Sequence, residues 1–331
     1  MCQLSGDETV KIAFGSCARR SKWRPGEQVV WSRIRAAEPD YLFLLGDQIY
    51  MDYGYLPWDD YVERPKIFSL QKFRDDMADR YSKQWDDPHF TELRAYLAAK
   101  SPKEKRIFGV WDDHDFAWNG ACGMDMENSK DTKQHGKRDV ARELFQHWMN
   151  CSTGRSEVYC SHVLPGIQAI FLDNRYHATK GGSLLGTNQL AFLEQEIQND
   201  CTYTLVCAGL TLTQGSENFK NSPDYAHLWR ILTSNPERRI LFLGGDIHKN
   251  FFGSASEIGR DGKKIRPVHE VVSSGIHINY LGLPWWFDDR RNWGLLTLNA
   301  QGVEVRLHSR RDNNPRPWRI PFNDWNHPVR S

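Results

Sequence analysis

An α/β layered fold is predicted by two observations. Short apolar runs alternate with longer amphipathic stretches, and chemically active polar residues directly follow five of those runs. The predicted strands are 11–15, 41–45, 106–111, 168–172, 204–208, 239–243 and 268–273. A late pair, 295–299 and 303–307, is joined by Ala300-Gln301-Gly302 and reads as a hairpin. The predicted helices are 26–37, 70–84, 91–99, 137–149, 187–198 and 225–232. In the fifth of these, Thr187 is placed as the N-cap, ahead of apolar residues at Leu190, Phe192, Leu193 and Ile197.

The chain has 331 residues, 40% of them hydrophobic, which is ample for one large core. No composition shift or Pro/Gly/Ser linker divides it, so 1–331 reads as a single domain, with no repeat or low-complexity segment.

Lys and Arg total 43 against 42 Asp and Glu, a formal net charge of +1. That balance gives no general attraction to nucleic acid or anionic membrane, so a phosphate-bearing ligand must be recognised locally. No apolar stretch approaches the roughly 18 residues that span a bilayer. The seven cysteines are an odd number spread over a large chain, which argues against a disulfide framework and for a reducing, cytoplasmic setting. A removed signal peptide would leave the same pattern. Oligomeric state leaves no sequence signal.

Five strand ends carry the functional reading. Ile12-Ala13-Phe14-Gly15 leads to Ser16-Cys17, and Leu42-Phe43-Leu44-Leu45-Gly46 leads to Asp47. Val110-Trp111 leads to Asp112-Asp113-His114-Asp115, Leu172 to Asp173-Asn174-Arg175, and Gly244-Gly245 to Asp246-Ile247-His248. One Asp after a strand is usually turn chemistry. Five such ends in one sheet protein point to the crevice beyond the carboxyl ends of the strands, where ligands bind.

Clustered carboxylates repel, so such a group needs protons or cations. Carboxylate oxygens suit Ca²⁺, Mg²⁺ or Mn²⁺, imidazole suits transition metals, and a thiolate biases a position toward iron or zinc. Two cations about 3.5–4 Å apart, bridged by one carboxylate, form an arrangement that cleaves phosphoesters with metal-held hydroxide. Taken singly, Cys17 reads as a small buried hydrophobe and His248 as a core histidine. His114, flanked by aspartates, is harder to assign to packing. Arg175 either salt-bridges Asp173 or grips a phosphoryl group with its fork.

The ordered set resembles the alkaline phosphatase D (PhoD-like) family of metallophosphoesterases. The resemblance rests on Phe14-Gly15-Ser16-Cys17, the segment from Pro39 through Asp47 to Asp52, and Trp111 to Asp115 with Asn119. It continues through Leu172 to Tyr176 with Gln189, and Gly245-Asp246-Ile247-His248 followed by Glu270. It implies a four-layer αββα sandwich of the calcineurin-like type. Asp47 would bridge two metals, Cys17 and His248 would hold an iron-like position, and Asp113 and Asp246 a second, calcium-like one. Fe³⁺ with Ca²⁺ is the implied pair, with Mn²⁺, Mg²⁺ or Zn²⁺ as alternatives. A family tyrosine matches Tyr81 by position, although a helix-face aromatic reads equally well.

Gly120 stands where many relatives are acidic, and Cys122–Gln134 reads as a lid or substrate loop. His114 would orient or shuttle a proton, Arg175 would bind a phosphoryl oxygen, and Asn119 completes the catalytic set. The expected reaction is in-line attack on the phosphorus of a small-molecule or polymer phosphoester, mono- or diester. A metallohydrolase of another ester or amide bond, or a non-catalytic metal- or phosphate-binding protein, are the competing readings. The Pro284-Trp285-Trp286-Phe287 stretch reads as a packed loop rather than a substrate contact.

Overall fold

The computed structural model describes residues 2–20, 28–53, 64–149, 157–258, 265–278 and 291–327. The Trp-rich stretch 284–287 lies outside them. Among the described residues, twelve strands are hydrogen-bonded into one continuous array that divides into two halves. The first half has the order β12-β11-β10-β1-β2-β3: Trp318–Pro321, Gly302–His308, Trp293–Asn299, Val10–Ala18, Tyr41–Leu45 and Ile107–Val110. The second has the order β4-β5-β6-β7-β9-β8: Cys160–Leu164, Ile167–Leu172, Tyr203–Ala208, Ile240–Gly244, Val268–His277 and Asn250–Ala255. The halves join where β1 meets β9, at Ser16 opposite Ser274.

Period-two alternation explains the layering. On the second half, Ala169, Phe171, Leu205, Cys207, Leu241 and Leu243 face the first half in one continuous core. Their neighbours Ile170, Leu172, Val206, Ala208 and Phe242 turn outward onto a separate cluster. That cluster includes Leu190 and Leu193 of α8 (Gly186–Glu196) and Leu228, Ile231 and Leu232 of α9 (Tyr225–Thr233). Phe43 of the first half meets Phe171 of the second edge-on, centroids 5.1 Å apart. The other large helices pack against the first half: α1 (Val30–Ala36), α3 (Leu70–Trp85), α4 (Pro88–Lys100) and α7 (Lys137–Trp148). This is the expected helix–sheet–sheet–helix arrangement. The short helices α2 (Arg64–Ile67), α5 (Asp113–Phe116) and α6 (Gly123–Glu127) belong to loops above the strand ends.

Two expectations are corrected. Helix α8 starts at Gly186, with Leu185 at the cap position and the Ser183 hydroxyl accepting from the Gly186 N–H at 2.9 Å. Thr187 therefore lies inside the first turn. Cys2 and Cys201, 199 residues apart, form a disulfide, so the cysteines are not all reduced thiols. No described helix is long and apolar enough to cross a membrane.

Candidate metal centre

The parallel strands β1, β2 and β3 of one half and β5, β7 and β9 of the other deliver their carboxyl ends to the same edge. Backbone bonds then fix which side chains meet. The Cys17 N–H donates to Gly46 O at 3.2 Å and the Ala18 N–H to Asp47 O at 2.8 Å, which sets Cys17 beside Asp47. Gly46 (φ 88°) is required for close approach, because a Cβ there would meet Asp112 Cβ at 2.6 Å. Gly245 is equally confined, with Leu45 O 2.3 Å from where its Cβ would be.

Among the described residues, five non-glycines hold a positive φ: Cys17, Glu38, Asp47, Asp246 and His248. Four of them are residues singled out above as metal ligands. Such backbone costs of order 1–3 kcal/mol per residue and persists where the surrounding fold dictates it, typically at functional sites.

The donors form two groups that share one carboxylate. Ligand atoms of Cys17, Asp47 and His248 lie within 4.8 Å of one another, as do those of Asp47, Asp113 and His114. The Cys17 thiol donates to Asp47 Oδ2 at 3.4 Å, and the His114 N–H donates to Asp47 Oδ1 at 3.3 Å. Asp246 adjoins the cluster through its backbone oxygen, 3.9 Å from Cys17 Sγ. The Asp113 Oδ2 accepts from the Gly120 N–H at 2.5 Å, whereas its buried Oδ1 has no hydrogen-bond partner.

The electrostatics show why added positive charge belongs here. Burial raises the Asp47 carboxyl well above its ordinary range, with the Asp113 and Asp112 charges adding to the effect against His114. Burial likewise raises Asp246 well up, reinforced by Asp112 and Asp113. Burial and Asp47 push the Cys17 thiol up. For Asp113, burial opposes ionisation but the His114 and Arg175 charges outweigh it, and its pKa falls. Burial disfavours the charged His114 ring, yet Asp113, Asp47 and Asp52 together hold its pKa well above the usual value. A buried set of this kind is fully ionised only when cations replace its protons. The orphaned Asp113 oxygen and the thiolate–carboxylate–imidazole donor set fit that replacement.

Tyr81 packs in the core on α3, against Trp85 (centroids 5.5 Å) and Trp148 (6.1 Å). The phenol beside the cluster is Tyr50, whose hydroxyl donates to Asp47 Oδ2 at 3.2 Å and whose ring stacks on His114 at 4.3 Å. From α3 it is Arg80 that reaches this loop, donating to the backbone oxygens of Tyr50 and Tyr53. Sequence reading missed Tyr50; the available signal was its place three residues after Asp47, on the turn that leaves β2. Asp52 was also missed. Its Oδ1 lies 2.7 Å from His114 Nδ1, and its Oδ2 accepts from the Asn119 N–H at 2.8 Å.

Arg175 does not pair with Asp173, which instead accepts from Trp111 Nε1 at 2.7 Å and from the backbone N–H groups of Arg175 and Tyr176. Its Nε donates to Asp112 Oδ1 at 2.6 Å. Arg175 and Asn119 line a polar cleft of about 590 Å³, one wall of which is formed by α6 and the 3-10 turn Thr132–Gln134.

This fold and this strand-end cluster define a metal-dependent phosphoester hydrolase of the metallophosphoesterase type. A profile of PhoD-like phosphatases matches residues 12–285, and the chain belongs to that family. The solved structure of PhoD is similar, with a TM-score of 0.68 at 14% identity over 96% of this chain and 72% of that one. A dimetal phosphatase from Danio rerio is also similar in fold, with a TM-score of 0.51 at 11% identity over 95% of this chain and 99% of its own. No curated protein matches the sequence.

Proposed function

We propose that the chain hydrolyses a phosphoester at a dinuclear centre bridged by Asp47, acting as one domain. Cys17, Tyr50 and His248 would surround one cation and Asp113 and Asp246 the other. The observation that carries this reading is the sharing of Asp47 between two donor groups. The thiol and phenol favour ferric iron on their side, and the carboxylates of Asp113 and Asp246, with the His114 ring alongside, favour a hard cation such as calcium on theirs. When bound, such a pair supplies activated water and charge to neutralise phosphoryl oxygens.

The protein's own groups supply the remainder. Asp52 fixes the His114 ring through Nδ1, which leaves Nε2, 4.0 Å from Asp113 Oδ1, to hold a proton for the departing alkoxide oxygen. Asp112 aligns the Arg175 guanidinium so that its outer arm faces the cleft, where it would bind a non-bridging oxygen. Asn119 borders the same space. The cleft far exceeds a phosphate group, which supports a substrate with a sizeable moiety, small molecule or polymer segment. The Cys2–Cys201 link supports an oxidising compartment over the cytoplasm.

The test is an assay of the metal-loaded protein against p-nitrophenyl phosphate and bis(p-nitrophenyl) phosphate. Hydrolysis of either ester, abolished by a chelator and restored by metal, is expected. Inertness toward both in metal-replete protein would overturn the reading.

A further inference from the structure

Arg175 makes three directional contacts, and they differ in kind. Its Nε is held by Asp112, a wholly buried carboxylate, at 2.6 Å. Its Nη1 faces the backbone oxygen of Ala121 at 3.5 Å, and neither partner can leave without unfolding the site. Its Nη2 meets Glu217 Oε2 at 3.4 Å. The Arg175 side chain is 2% exposed, whereas that of Glu217 is 49% exposed. Among the described residues, the displaceable partner of the guanidinium is therefore a carboxylate standing on the cleft side.

The loop beneath Glu217 is firmly anchored. Glu270, buried on β9, accepts from the Leu212 N–H at 2.6 Å, the Thr213 N–H at 3.2 Å and the Thr213 hydroxyl at 2.6 Å. Phe219 N–H returns to Thr211 O at 3.0 Å, and Asn218 Nδ2 to Gly215 O at 3.0 Å. The backbone is fixed, and the Glu217 side chain stands half-exposed at the wall of the cleft. Gly120 stands beside it, where a Cβ would make only an ordinary contact, 3.8 Å from Glu217 Oε1.

We propose that Glu217 is a specificity-determining residue, an internal anion that occupies the Arg175 fork until a phosphoryl group displaces it. This rests on the proposed role of Arg175 as the phosphoryl-binding arginine. The carboxylate keeps the buried guanidinium paired in the empty site and sets a threshold on binding. A dianionic phosphoryl group, offering more charge to the fork, exchanges with it, whereas a singly charged carboxylate gains nothing by doing so. A half-exposed pair of this sort is weak, so its removal should strengthen anion binding by about two- to fivefold, equivalent to about 0.4–1 kcal/mol.

The experiment is isothermal titration of inorganic phosphate, and in parallel of acetate, into metal-loaded wild type, E217Q and the double variant R175K/E217Q. The expected result is a two- to fivefold lower Kd for phosphate in E217Q, and loss of that gain in the double variant, with circular dichroism confirming that each is folded. KM for p-nitrophenyl phosphate should fall in step in E217Q. An unchanged or raised phosphate Kd in folded E217Q, or the same gain in R175K/E217Q, would overturn the proposal. Wild type that binds phosphate without hydrolysing either ester would count against the catalytic reading alone, and the Kd comparison would still decide the role of Glu217.

Discussion

Cys17 Sγ stands 3.4 Å from Asp47 Oδ2, and both residues hold left-handed backbone, φ 60° and 57°. They lie at the ends of adjacent parallel strands, and the fold bends each chain out of its preferred conformation to aim both side chains at one point. Packing alone gives no reason for that, since burial and the neighbouring Asp47 carboxylate both push the Cys17 thiol up. A shared cation does.

The phenol beside Asp47 is Tyr50, which is proposed above as a ligand. Tyr50→Phe keeps the ring stacked on His114 and removes the hydroxyl from Asp47, so metal retention and kcat should fall about 10- to 100-fold. Tyr81→Phe, in the core among Trp85 and Trp148, should stay within about twofold. Steady-state kinetics with elemental analysis of both variants decides, and the reverse ranking would return the ligand role to Tyr81.

The Cys2–Cys201 bridge closes a loop of 199 residues, more than half of the 331-residue chain, onto the start of β6. Closing so long a loop stabilises by about 2–5 kcal/mol, chiefly through the unfolded state. Cys201→Ser, or dithiothreitol on the wild type, should lower the midpoint of chemical unfolding accordingly. Catalysis at 25 °C should be unchanged, because the link is remote from the cluster. A thiol titration that finds every cysteine free in native protein would contradict it.

His162, on edge strand β4, is packed on Phe108 (centroids 4.5 Å) and beside Cys160. Burial, aided by Lys105, lowers its pKa to about 4 from 6.5. Between those values the unfolded chain binds the proton and the folded one does not, so this group makes stability rise with pH and decline as pH falls from 6.5 toward 4. The loss is of order 1–3 kcal/mol. His162→Leu, which cannot take up a proton, should show a shallower acid limb in urea unfolding from pH 7 to 4; an identical limb would rule out His162 as its source.

Much of this molecule is legible in its sequence, and the exceptions have physical causes. Strand β2 falls on 41–45 as read, because its buried residues form an unbroken apolar run. Strands β4, β8 and β12 were missed. In β4 the partly exposed Ser161 and His162 break the apolar run, β8 carries Gly253 within it, and β12 ends in Pro321 at the margin of the sheet. The strand ends announced Cys17, Asp47, Asp113, Asp246 and His248, since a residue following a parallel strand has little choice of direction. Asp52 and Glu217 sit on loops, whose course is set by tertiary bonds such as Met51 N–H to His114 O and Leu212 N–H to Glu270, and spacing does not encode those. The disulfide joins residues 199 apart, so nothing local marks it.

The most direct test of the shared centre is elemental analysis of purified wild type and Asp47→Asn, paired with phosphoesterase assays of the same samples. Wild type should carry close to two metal ions per chain. Asp47→Asn should collapse on both measures, with both metals depleted and turnover down at least about a hundredfold. Full turnover from Asp47→Asn, or from wild type carrying no bound metal, would contradict a shared centre.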